Sequence, residues 1–158
     1  MNTDNYIQIM IDSLHKKEKV LTQLIKLNDE QTKIASTEEF SDEDFYANIE
    51  SKGGLIEELI RLNEGFDALI ARVKEEVNEN RAKYADQIKQ LQELIKTVTE
   101  LGVKVEAQEA RNKMLVEKRF SRMKREVAAA GKNTKMANIY YKTQNRIYNE
   151  AHFLDDKK

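Results

Sequence analysis

"VNENRAKY", residues 77–84, decides how this chain folds. On either side of it apolar residues recur in a 4-3 alternation. Before it come Phe45, Ile49, Ile56, Leu59, Phe66, Ile70 and Val73, with Lys52 and Asn63 in the same row; after it come Leu91, Leu94, Val98, Leu101 and Val105. That spacing is the period of an α-helix with one buried stripe. Read without a break, it describes a single helix of some eighty residues that covers its stripe by dimerising as an extended coiled coil. Within the quoted stretch, however, the row weakens to Asn80 and Tyr84 and continues to Gln87. A globular helix much longer than ~25 residues without caps is unusual. Gly53, Gly54 and Gly65 also count mildly against one unbroken helix.

A break at 77–85 leaves three segments of comparable length that can fold up, down and up on one another. The first carries Ile7, Leu14, Leu21 and Asn28 every seven residues, beside a weaker row of Met10, Lys17, Leu24 and Gln31. The second has a start signal: Ser41 can cap, Asp44 holds the capping-box position, and Phe40 and Phe45 are spaced as a hydrophobic staple. The expected fold is therefore all-α, an elongated antiparallel bundle or coiled coil of three long helices. They run over about 4–34, 42–77 and 85–130, forming one unit over 1–130, with a flexible or short-helical C-terminal tail over 131–158.

Composition agrees. Proline and cysteine are absent, glycine occurs five times in 158 residues, and 35% of the chain is charged against 40% hydrophobic. Long thin helices suit such a balance better than a thick core. Without cysteine there are no disulfides, thiolate metal sites or thiol nucleophiles. The start has no basic leader or cleavage signal, and no apolar run approaches the ~18 residues of a membrane span. The expectation is a soluble protein in a reducing cytoplasm.

Past Asn112 the apolar positions become Val116, Phe120, Met123 and Val127, which reads as a four-residue slip of the heptad. If the third helix is also the longest, its end overhangs the bundle. Leu115, Val116, Phe120, Met123 and Val127 then form a stripe that either folds back onto the bundle or docks a partner helix. Beyond Gly131, Met136, Tyr140, Ile147, Ala151 and Leu154 share a helical face, with Tyr141 and Tyr148 beside it; a helix so short is marginal alone in water.

The net charge of -1 conceals a separation. Eleven acids face three bases between Asp29 and Glu64, and ten bases face two acids between Lys113 and Arg146. The basic region, with its aromatics, is the form a non-specific nucleic-acid surface takes, but no recognition-helix motif accompanies it. Catalytic groupings are missing. Asp12 and His15 have the spacing of a metal pair on one helical face, yet no second pair exists to complete a di-metal bundle. Glu57-Glu58 and Glu75-Glu76 point to different faces, so neither makes a carboxylate dyad. No enzyme, metal or cofactor is expected.

A resemblance sharpens the remaining reading, which is helix-on-helix binding of a protein. "FSDEDFYANIESKGGLIEELIRLNEGFDALIARVKEEV", "YADQIKQLQELIKTVTELGVKVEAQEARNKML", the basic "KRFSRMKRE" and the "YYK" tail ending in "FLDDKK" together resemble the flagellar type III export chaperones of the FlgN and FliT kind. The likeness covers nearly the whole chain, and Glu109 with Asn112 and the Tyr140-Tyr141 pair are its more telling pieces. The resemblance implies a cytoplasmic, non-catalytic chaperone. It would bind the amphipathic terminal segment of a hook-junction or filament-cap protein and deliver it to the flagellar export gate; the stripe of Leu115, Val116, Phe120, Met123 and Val127 is the surface expected to take that segment. It also implies that Tyr140, Tyr141 and Tyr148, on a mobile tail over 132–158, dock that gate. The alternative is a coiled-coil scaffold or tether, for which a homodimer is the natural state.

Overall fold

Residues 80–84 form a turn, so the long heptad run is two helices. The structure is a computed structural model and describes residues 3–126 and 137–147. Three long helices, α1 (Thr3–Ser36), α2 (Asp42–Glu79) and α3 (Ala85–Glu126), are followed by a short one, α4, at 137–147. There is no strand among the described residues, and no helix among them is long and apolar enough to cross a membrane.

Local chemistry fixes both connections. Ser41 is extended, and its Oγ accepts from the Asp44 N–H at 3.2 Å. Phe40 and Phe45 stack across this start with ring centroids 5.2 Å apart, as the staple spacing requires. Such a cap stabilises a helix by about 1 kcal/mol. At the other end of α2, the Asn80 N–H and side-chain amide both donate to the Glu76 carbonyl, at 3.1 and 2.9 Å. Tyr84 then closes the turn: its ring is buried against Ile7 and Ile11, and its hydroxyl donates to the Glu76 carboxylate at 3.1 Å. What looks in sequence like a weak seam residue is the anchor of the reversal.

α1 is the central element. At one end Thr3 donates to Glu76 and Arg72 to the Tyr6 hydroxyl; at the other Gln31 donates to Asn48 at 3.0 Å, so α1 and α2 run in opposite directions. With α3 it runs in the same direction: Asn28 meets Gln108 and Thr32 meets Asn112, each pair eighty residues apart in sequence. The backbones of α2 and α3 each lie close to α1, and reach one another through longer side chains. The main core stacks Met10, Leu14, Leu21 and Leu24 of α1 against Ile56, Leu59, Phe66 and Val73 of α2 and Val98 and Val105 of α3. The buried positions of α2 other than Asn48, namely Phe45, Ile49, Lys52, Ile56, Leu59, Asn63, Phe66 and Val73, fall on the 4-3 row of the sequence.

The heptad slip expected after Asn112 does not occur. The seam of α3 continues unbroken as Val98, Gly102, Val105, Glu109, Asn112, Val116 and Arg119. A slip is inferred only if Glu109 and Arg119 are passed over because they are charged; both are buried at seam positions. The overhang shrinks accordingly. Arg119 donates to the carbonyls of Thr37 and Glu38 at 2.5 and 2.9 Å, and its guanidinium lies over the Phe40 ring, so the α1–α2 connection already covers this level of α3.

Candidate functional site: a groove occupied by α4

Because α2 and α3 stand apart, a groove runs between them with α1 as its floor, and α4 lies in it. The spacing of its inward residues, Tyr140, Gln144 and Ile147, is i, i+4, i+7, the contact stripe of a helix laid along a groove. Ala137, Ile139, Tyr141 and Thr143 are half-buried; Asn138, Lys142, Asn145 and Arg146 face out.

Three levels can be distinguished. The first is aromatic: the Tyr140 ring sits 5.7 Å from Phe45 and 6.4 Å from Phe120, which themselves meet edge-on at 5.6 Å. Ala35, Ile49 and Val116 complete this cluster. The second is polar. The Lys52 ammonium lies 2.7 Å from Glu109 Oε1, with both side chains 2% exposed. Lys52 also reaches Gln31 Oε1 at 3.5 Å, and Asn48 donates to the Leu27 carbonyl at 2.9 Å. Gln144 lies over this pair and donates to the Glu109 main-chain carbonyl at 3.2 Å. At the third level Ile147 enters the main core, while outside it Arg146 and Glu57 pair on the surface at 3.6 Å. Further along, Leu14, Lys17, Phe66, Ile70, Ile95 and Val98 line a cavity of about 250 Å³.

Electrostatics follow burial. Loss of hydration pushes the Lys52 ammonium below its ordinary pKa, against the opposing pull of Glu109. Burial pushes the Tyr140 phenol well above its ordinary value, and the nearby Glu109 carboxylate adds to this. Tyr141 moves the same way, through burial and then Glu117.

Of the residues expected to bind a partner, Leu115, Val116, Phe120 and Met123 do lie along one face, but it is not an open one. Val116 is fully buried, Phe120 is inside the aromatic cluster, and Leu115 and Met123 are half-buried. Val127 lies outside the described residues. Of the tyrosines expected on a mobile tail, Tyr140 is 1% exposed in the core and Tyr141 packs on its edge at 5.3 Å. Tyr148 lies outside the described residues. The tail is thus no separate unit over 137–147, because a helix with this stripe gains more by covering Phe45, Val116 and Phe120 than by staying in water. His15 is on the surface, 4.0 Å from Glu18.

Lys52 and Asn112 are legible in the sequence as seam positions, but the partnership of Lys52 with Glu109 and the burial of Gln144 are not among the expectations above. The signal was there for Gln144, which stands four residues after Tyr140 and three before Ile147. Comparison with known proteins adds no neighbour: no protein-family model, curated protein or solved structure matches the chain.

Proposed function

We propose that this chain is a non-catalytic helix-binding chaperone of the flagellar export kind, that its client site is the α2–α3 groove, and that α4 occupies that site until a client arrives. The observation that carries the reading is the seating of an amphipathic helix of the chain itself on Phe45, Glu109, Val116 and Phe120. A groove that accepts one amphipathic helix over this surface accepts another of like pattern. Among the groove residues, Val116 and Phe120 belong to the stripe expected to take the client, the amphipathic terminal segment of a hook-junction or filament-cap protein.

Exchange of α4 for the client also gives the tyrosines a role. While α4 is docked, Tyr140 is in the core; once displaced, Tyr140 and Tyr141 become available to the export gate. Gate docking then follows client loading instead of competing with it. A scaffold or tether is disfavoured by the use of the long stripes of α1, α2 and α3 on one another within one chain.

The test exploits the absence of cysteine. Glu57→Cys with Arg146→Cys places two thiols on facing surface positions, and a short bis-maleimide ties α4 down. Co-expressed C-terminal segments of hook-junction and cap proteins should co-elute with the untied chain in size-exclusion chromatography and be excluded by the tied one. A client that binds both equally places its site elsewhere.

A further inference from the structure

The helix in the groove matches its shape better than its chemistry. Among the described residues, Glu109 Oε2, the Tyr140 hydroxyl and Gln144 Oε1 have no hydrogen-bond partner, although all three residues are more than nine-tenths buried. Gln144 spends its amide on the Glu109 main chain instead of the carboxylate. A carboxylate accepts several hydrogen bonds, and one left short of donors in a dry site is costly. α4 therefore leaves unused a recognition element at the middle of the groove.

Building on the exchange of α4 for a client, we infer that the partner this groove selects is a helix with an aromatic side chain, a neutral hydrogen-bond donor and a branched aliphatic at i, i+4 and i+7, the donor bonding the Glu109 carboxylate. Each element follows from what lines the groove. The aromatic replaces Tyr140 between Phe45 and Phe120, and the aliphatic replaces Ile147 in the main core. At the middle position the exposed need is an acceptor's, so the partner supplies a donor. That donor is neutral because Lys52 already balances Glu109, and a third charge would be buried without compensation. An amide or a hydroxyl meets the condition.

Glu109 thereby acts as a filter. A wholly apolar amphipathic helix would fit the groove's shape yet seal the carboxylate without a partner, so it is rejected by a penalty rather than by a clash. The filter is narrow in sequence terms: it distinguishes clients that share amphipathicity but differ at one position.

The experiment uses the full-length chain carrying Tyr140→Ala to weaken its own α4, and the same chain with Lys52→Leu and Glu109→Leu. Each is titrated with two labelled peptides, one copying residues 134–150 and one identical except for Gln144→Leu. With Lys52 and Glu109 present, the glutamine peptide, whose second amide N–H can turn to the carboxylate once the helix is not tethered to α3, should bind at least about tenfold more tightly, and in the double-leucine chain, where that acceptor is gone, the order should reverse. Equal binding of both peptides to both chains overturns the inference while leaving the groove as a helix site. If neither peptide binds either chain, the exchange reading fails and the inference with it. Should Tyr140→Ala not fold, the comparison is read within one chain by hydrogen exchange over 137–147. Gln144→Leu should speed exchange beside Lys52 and Glu109 and slow it beside the two leucines; a change of the same sign in both overturns the inference.

Discussion

Lys52 of α2 and Glu109 of α3 hold each other at 2.7 Å, and each side chain is only 2% exposed. Removing one partner leaves the other charged and dry. Lys52→Met alone should destabilise the fold by about 3–5 kcal/mol, whereas Lys52→Leu with Glu109→Leu should recover most of that loss. Urea unfolding of the three proteins decides it, and a single variant as mild as the double would show that water reaches the pair.

Tyr140 predicts a pH dependence whose sign can be worked out. Its folded pKa is raised, so its contribution is fully present below the unfolded value and is lost as pH rises past about 10. Lys52, with a lowered folded pKa, contributes the opposite trend in the alkaline range, so the comparison must be made at fixed pH between the wild type and Tyr140→Phe. At pH 7 the two should lie within about 1 kcal/mol, since the hydroxyl has no partner among the described residues. Above pH 10 the wild type should lose ground by up to about 1.4 kcal/mol per pH unit. Parallel curves would mean that Tyr140 is solvated.

Phe120 distinguishes a core residue from a free docking residue. It meets Phe40, Phe45 and Tyr140 at ring-centroid distances of 6.2, 5.6 and 6.4 Å. Phe120→Ala should therefore cost about 3 kcal/mol, the low end for an aromatic truncation because the ring is partly exposed. A thermal melt that does not move would return Phe120 to the surface.

Arg119 closes the α1–α2 connection with two hydrogen bonds from separate guanidinium nitrogens. Lysine keeps the charge but not the fork, so Arg119→Lys should destabilise by about 1.5–3 kcal/mol. Amide exchange should rise first around 37–41. An unperturbed loop would assign the cation to the exposed basic surface instead.

The sequence was most legible where apolar spacing and caps agree. The staple of Phe40 and Phe45, the cap at Ser41 and the rows of α1 and α2 all follow from local chemistry, and the helix limits of 42–77 and 85 fall within two residues of those found. It was least legible where polar residues occupy the seam. A carboxylate at 109 signals solvent unless its partner at 52 is known to face it, and that pairing spans two helices. The same blindness turned a continuous heptad into a slip, hid Gln144, and left Tyr140 outside the core. Whether a short helix docks depends on a groove formed by elements distant from it in sequence, which periodicity within the helix cannot report.

The polar level also bears on the birth of the molecule. At ~5–20 residues per second, α1 and α2 leave the ribosome seconds before α3 is complete. Their hairpin already has its register pinned, because Gln31 to Asn48 and Asn48 to Leu27 need no third helix. The side awaiting α3 carries Asn28, Thr32 and Lys52 among its leucines, and these donate to water until Gln108, Asn112 and Glu109 arrive. The nascent hairpin is thus less adhesive than a wholly apolar face would make it, so the polar seam residues that join α3 to α1 and α2 in the finished protein also guard the unfinished one against clumping.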